Sequence, residues 1–249
     1  MKKPKAIFNW SGGKDSSFCL HKILQADEYE ISCLVTSISE KFNRISQHGV
    51  RAKLLEEQAE SINIPLHKLI MPDMPTMETY NAMMKRTLIA FKEQGITASI
   101  FGDIFLEDLR KYREERLAEL DFKGLFPLWK IPTTELGQEF IQSGFKAVIV
   151  CANEKYLDES FVGREFDQSF LNDLPRNVDP CGEYGEFHTF TYDGPIFKKP
   201  IVFTKGEKVY RKYNPPAKKE NDITNPAHIT TGFWYCDLIP VSHTLQNPE

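Results

Sequence analysis

The chain has 249 residues and a formal charge of −4, with 41% hydrophobic, 27% charged and 12% aromatic side chains. That composition belongs to a globular protein with a sizeable core, not a disordered or fibrous chain, and the acidic balance argues against a surface dominated by attraction to nucleic acid. No run of about 18 apolar residues offers a membrane span and the N-terminus has no apolar stretch suited to a signal peptide, so no membrane is involved and the cytoplasm is the expected location.

Residues 5–10, KAIFNW, predict a short buried strand, and from Ser16 the apolar positions Phe18, Leu20, Ile23 and Leu24 move to helical spacing. Between them lies SGGKDSS. A second strand is predicted over 30–38, followed by a helix whose apolar face is Val50, Leu55, Ala59 and Ile62. PLHKLIM at 65–71 predicts a third strand. The next helix carries Tyr80, Met84, Leu88 and Phe91 on one stripe and stops at Gly95, before a fourth strand over 98–104. Strands alternating with helices predict a doubly wound α/β domain with a mainly parallel sheet, whose ligand site lies at the carboxyl ends of the strands, here Ser11, Ser37 and Asp103.

After LFPLWKIP the order changes, which places a boundary near Pro132: a nucleotide-binding domain over 1–131 and a smaller α+β substrate domain over 132–249. The second part predicts a helix from about Thr134, a strand at FKAVIVC and irregular loops. There follow strand character over 201–213 broken by a Lys-Gly-Glu turn, a polar surface loop over 215–228 and a final strand over 232–240. The five cysteines include no CxxC pair; Cys19, Cys33, Cys151 and Cys236 sit in apolar runs and Cys181 in a loop, which points to neither a disulfide framework nor a zinc site.

In SGGKDSS, Lys14 is followed by Asp15 and no glycine stands five positions before Gly13, so the Walker pattern fails, and so does GxGxxG. Adjacent Gly12 and Gly13 let backbone N–H groups approach an anion, Ser11 and Ser16 add hydroxyl donors, and the helix contributes its positive end. Together they can hold a pyrophosphate. Lys14 can stabilise charge on the leaving group, while Asp15 can cap the helix or help orient a magnesium ion.

A strand followed by SGGKDS resembles the PP-loop of the N-type ATP pyrophosphatases, enzymes with a HUP or Rossmann-like fold related to the adenine nucleotide alpha hydrolases, which cleave ATP between the α- and β-phosphates. ISQHG around His48, GDIFLEDLRKYREER from Gly102, FPLWK from Phe126, FVGREFD from Phe161 and DPCGEYGEFHTF from Asp179 extend the likeness over residues 6–192, where the chain is similar to the diphthine–ammonia ligase family. This resemblance implies an ATP-dependent ligase: a carboxylate attacks the α-phosphate, pyrophosphate leaves, and ammonia displaces AMP to form an amide. It further implies ATP with Mg2+ and, as the carboxylate, diphthine on a translation elongation factor; it leaves a homodimer open.

Within that frame Ser37, Gly102 and Asp103 would flank the adenosine, with Asp103 bonding a ribose hydroxyl or serving as a turn residue. His48 would meet the triphosphate or line the loop. Arg113 offers a fork for a carboxylate or phosphate, although the charge run around it also suits a solvated helix face. Glu183, Glu186 and His188, too few for a zinc site, would hold ammonium, accept its proton or bind a cationic part of the substrate. Arg164 and Glu165 would close the substrate side or form a structural salt bridge. The alternatives are sulfur transfer to tRNA, for which Cys181 would have to carry a persulfide, and nucleotide binding without turnover.

Overall fold

The computed structural model describes residues 3–45, 49–213 and 231–241. The apolar run at 5–9 forms β1 (Lys5–Asn9), whose three central residues are buried on both faces, as a strand covered by helices on each side requires. It leads through the glycine loop into α1 (Lys14–Ala26), which buries Phe18, Leu20 and Ile23, and Asp27 closes the helix in the left-handed conformation at φ 54°. β2 (Glu30–Ser39) lies parallel to β1. The short β3 (Arg44–Ile45) pairs antiparallel with its last residues, beyond the end of β1.

The chain continues through α2 (Ala52–Ile62), β4 (Leu66–Met71), α3 (Met77–Glu93) and β5 (Ile96–Ile100). Thr76 caps α3 by accepting the Thr79 N–H at 3.1 Å, and Gly95, at φ 79°, ends it as its sequence predicts. α4 (Glu107–Ala118) and β6 (Lys123–Leu125) complete the first part. β4 pairs with β2, β2 with β1, β1 with β5 and β5 with β6, all parallel. Strand order therefore reverses between β1 and β5, the expected ligand position of a doubly wound sheet. The fourth strand is shorter than its apolar run predicts, because after Ile100 the chain leaves the ladder for a loop over 101–106. β6 follows from no sequence signal; three residues are too few to show periodicity.

The second sheet is antiparallel in the order β8–β7–β10–β9, built from β7 (Lys146–Asn153), β8 (Phe187–Asp193), β9 (Phe203–Tyr213) and β10 (Thr231–Pro240), with α5 (Thr133–Gln142) and α6 (Gln168–Asp173) packed beside it. Two expectations are corrected. The stretch FHTFTYD is a strand, not an irregular loop: it pairs antiparallel with β7 and buries Phe187, Thr189 and Thr191 on one face and Phe190 on the other. Lys205-Gly206-Glu207 is no turn, since β9 runs straight through it. The register instead shifts opposite Asp237, between the pairs Cys236↔Lys208 and Leu238↔Lys205, so the glycine marks a bulge. The predicted loop over 215–228 lies outside the described residues.

One buried cluster is continuous from Phe8, Phe18 and Leu55 to Phe140, Phe166, Phe187 and Phe190, so the α1–α2 face of the first sheet and the second sheet share a core. Polar contacts join them too: Asp237 accepts from Arg44 at 2.8 Å and from Arg51 at 2.6 Å. Among the described residues no helix is long and apolar enough to cross a membrane.

Candidate active site

At the order reversal the amide of Asn9 donates to Ser99 Oγ at 2.8 Å and to the Ile100 carbonyl at 2.9 Å, locking the ends of β1 and β5 together. Gly12 then adopts φ 75°, and a Cβ there would stand 2.5 Å from Leu55 and 2.7 Å from Gln58 Oε1. Glycine answers both demands. The Gly12 carbonyl accepts from Gln58 Nε2 at 3.0 Å and from the Thr191 N–H at 2.9 Å, so α2 and β8 hold the loop from two sides. Gln58 is fully buried and also takes Trp10 Nε1 at 2.9 Å and gives to the Thr191 carbonyl at 2.6 Å. Ser11 and Ser16 face each other at 3.0 Å between their hydroxyls. Gly13 stands at the N-cap of α1 and brings no capping side chain; the Lys14 N–H is taken by Thr189 Oγ1, which leaves those of Asp15 and Ser16 for an anion. The capping role open to Asp15 is thus not taken.

The Lys14 side chain is buried. Its ammonium is 3% exposed, donates to both carboxylate oxygens of Asp15 at 2.7 and 2.8 Å and to the Cys181 carbonyl, and sits 5.5 and 5.6 Å from the ring centres of Phe166 and Phe187. Burial works against its charge, yet the neighbouring Asp15, Cys181 and Glu183 hold its pKa above the ordinary lysine value. Thr189 Oγ1 accepts the Lys14 N–H at 2.9 Å. Residues of the second sheet thus complete the loop of the first.

The loop over 179–186 brings Glu183 to the same place. Glu183 Oε1 accepts the N–H groups of Ile104 at 3.1 Å and Phe105 at 3.3 Å, just past Asp103. Burial first, and then the charge of Asp15, push its carboxyl up to about 7, against the opposing effects of those two N–H groups and Lys14. A carboxyl with that value can give or take a proton near neutrality. Gly102 lies against the first turn of α1: a Cβ there would come within 3.2 Å of the Asp15 backbone. Asp103 pairs with Arg113, whose Nε lies 2.8 Å from Oδ2 and whose guanidinium stacks 4.4 Å from the Phe101 ring centre. Burial raises the Asp103 pKa, Arg113 draws it down, and Asp15 adds to the rise.

Other expected residues are placed differently. Ser37 is half-buried on β2, two residues past the end of the β1 pairing, at the edge of the site. Glu186 is 2% exposed, and its oxygens accept the N–H groups of Asp179 at 3.1 Å and Tyr184 at 2.9 Å; it braces the loop that carries Glu183. His188 lies on β8 between Phe187 and Thr189, so its side chain takes the opposite direction from the two that meet Lys14. Arg164 pairs with Asp173 at 2.6 Å, and Glu165 accepts from Tyr192 at 2.9 Å and Lys205 at 3.1 Å, so both carry the salt-bridge role their sequence left open. His48 lies outside the described residues. Cys181 is 3% exposed with its thiol pushed up to about 12, chiefly by burial, which makes a poor persulfide carrier. Gln58, Thr189 and Thr191 give no signal in the sequence, because a buried amide on a helix and threonines in a strand acquire meaning only from their partners. Among the described residues no group of three or more His, Cys, Asp or Glu could hold a metal ion.

Comparison with known proteins places most of the chain within one family. Residues 4–123 match the family model described as the diphthamide synthase N-terminal domain, and residues 132–219 match the diphthamide synthase C-terminal domain. Diphthine–ammonia ligases of Homo sapiens and Bos taurus are each 27% identical over 221 residues, spanning 80% of this chain and 82% of theirs. That of Danio rerio is 26% identical over 223 residues, spanning 80% and 86%.

Proposed function

Because the chain belongs to the diphthamide synthase family, we propose that it is an ATP-dependent ligase that adenylates the carboxylate of diphthine, carried on a translation elongation factor, and converts it to an amide with ammonia in the cytoplasm. The observation that carries this reading is the convergence of Glu183, with its carboxyl at about 7, on the Ser11–Ser16 loop and the ends of β1 and β5.

In this reading the glycine N–H groups, the Ser11 and Ser16 hydroxyls and the open end of α1 bind the departing pyrophosphate. The carboxylate oxygen forms a bond to the α-phosphorus as the bond to the β-phosphate oxygen breaks. Arg113 turns its fork to the incoming carboxylate, and Asp103 orients it. Glu183, ionised above its pKa, takes a proton from ammonium; the freed ammonia attacks the acyl carbon and AMP leaves with the carbon–oxygen electron pair. Lys14 fixes Asp15, whose carboxylate is 34% exposed and fits a magnesium ion carried on the triphosphate. The part over 132–249 enters this reaction by supplying Glu183 to the loop carried by the part over 1–131.

The test is incubation of the protein with α-labelled ATP, magnesium, ammonium and a diphthine-bearing acceptor. AMP and pyrophosphate are expected in step with amide formation, and Lys14→Ala should slow both by at least about a hundredfold. Release of ADP and phosphate instead would overturn the reading.

A further inference from the structure

α3 carries Tyr80, Met84, Leu88 and Phe91 on one stripe, yet buries only Leu88 and Phe91. Tyr80 and Met84 instead face a cavity of about 500 Å³ between α3 and α4. That volume is typical of a small-molecule site. At its inner end Asn9, Ser99 and Phe101 form the wall, so the cavity reaches the carboxyl ends of β1 and β5. The Tyr112 hydroxyl donates to Asn81 Oδ1 and ties the two helices together along its side.

Arg113 also lines the cavity. Its Nη2 donates to Asp103 Oδ1 at a long 3.3 Å, while its buried Nε and the facing Asp103 Oδ2, 2.8 Å apart as an ion pair, lack hydrogen-bond geometry, so Asp103 fills the fork only in part. Buried polar atoms in that state call for a partner. An arginine fork at the closed end of an aromatic cavity matches a carboxylate on an apolar body. At the open end Lys85 and Arg116 both pair with Glu119, at 3.0 and 2.5 Å, and Glu78 stands beside them, a mixed-charge rim suited to a polypeptide surface.

We propose that this cavity is the acceptor site: it receives an amino-acid side chain with an apolar or aromatic body, inserted between α3 and α4, whose terminal carboxylate meets Arg113 at the edge of the nucleotide loop. The assignment rests on the ligase reading for the reaction that follows, but binding in the cavity can be measured without turnover.

The experiment uses Ala82→Trp, which adds bulk to the cavity wall from an exposed position on α3. Calorimetry measures binding of a diphthine-bearing peptide to the full chain in the presence of a non-hydrolysable ATP analogue, and of the analogue alone. Peptide affinity is expected to fall at least about tenfold in the variant, with analogue affinity within about twofold and the melting midpoint unchanged. The proposal is overturned if the wild-type chain does not bind the peptide, if the variant binds it as well as the wild type does, or if analogue affinity falls alongside, which would make the cavity the nucleotide's. Should the wild type bind the peptide, with the variant impaired, but release no AMP, the ligase reading fails and the cavity assignment stands.

Discussion

Glu183 accepts the backbone N–H of Ile104 at 3.1 Å across 79 positions of sequence, and so pins the loop of the second sheet onto the exit of β5. Its carboxyl titrates at about 7. Amide formation should therefore follow the ionised form, falling as pH drops through about 7, and Glu183→Gln should lose at least about a hundredfold in rate and the pH dependence with it. A rate profile unchanged in shape in the variant would take Glu183 out of the proton transfer.

The same shift governs stability. An acid whose folded pKa lies at about 7, above its ordinary 4.5, holds its proton in the folded chain after the unfolded chain has released it. Stability should then decline as pH rises from 4.5 to about 7, and denaturant titrations of Glu183→Gln should lack that part of the decline.

Gln58→Leu keeps the bulk of the side chain but removes bonds to Trp10, Gly12 and Thr191. The partners stay buried, so a loss of about 2–4 kcal/mol is expected in urea unfolding, together with weaker ATP binding as the loop loosens. A change under about 0.5 kcal/mol would show that the Thr191 N–H alone holds the loop.

Gly12→Ala combines a left-handed backbone with a Cβ 2.5 Å from Leu55 and 2.7 Å from Gln58. The strain and the crowding together should cost about 2–4 kcal/mol and reduce ATP affinity at least about tenfold, both readable by calorimetry.

Asp237 joins the two sheets through Arg44 and Arg51. Burial would raise its carboxyl, but the two arginines hold it down at about 2. The folded value lies below the ordinary 3.8, so this stabilisation is present above 3.8 and is lost as pH falls toward about 2. Asp237→Asn should lower stability at neutral pH by about 1–2 kcal/mol and remove that acid-side loss, as acid-titrated unfolding would read.

Much of the fold is legible in neighbouring residues. The β1–loop–α1 unit announces itself through a buried apolar run, two adjacent glycines and a change to helical spacing, and Gly95 and the final strand at Thr231–Pro240 behave as their local chemistry predicts. Lys205-Gly206-Glu207 misleads because a glycine between charged residues suits a turn and a bulge equally; only the opposing β10 decides between them. FHTFTYD follows a glycine-rich loop and alternates imperfectly, so its strand depends on pairing with β7.

For the site, the amino-acid order alone determined the loop chemistry and the strand ends where a nucleotide can lie, since glycine spacing, hydroxyls and hydrophobic period are properties of residues close along the chain. It also singled out the stretch that contains Glu183. Tertiary structure alone decided that Glu183 turns to β5 while Glu186 turns inward, that Lys14 is buried against Phe166 and Phe187, and that Gln58 anchors Gly12. The reason is physical: a side chain's direction, its desolvation and its charge partners come from residues up to 193 positions away, as in the Arg44–Asp237 pair, and no local pattern records them.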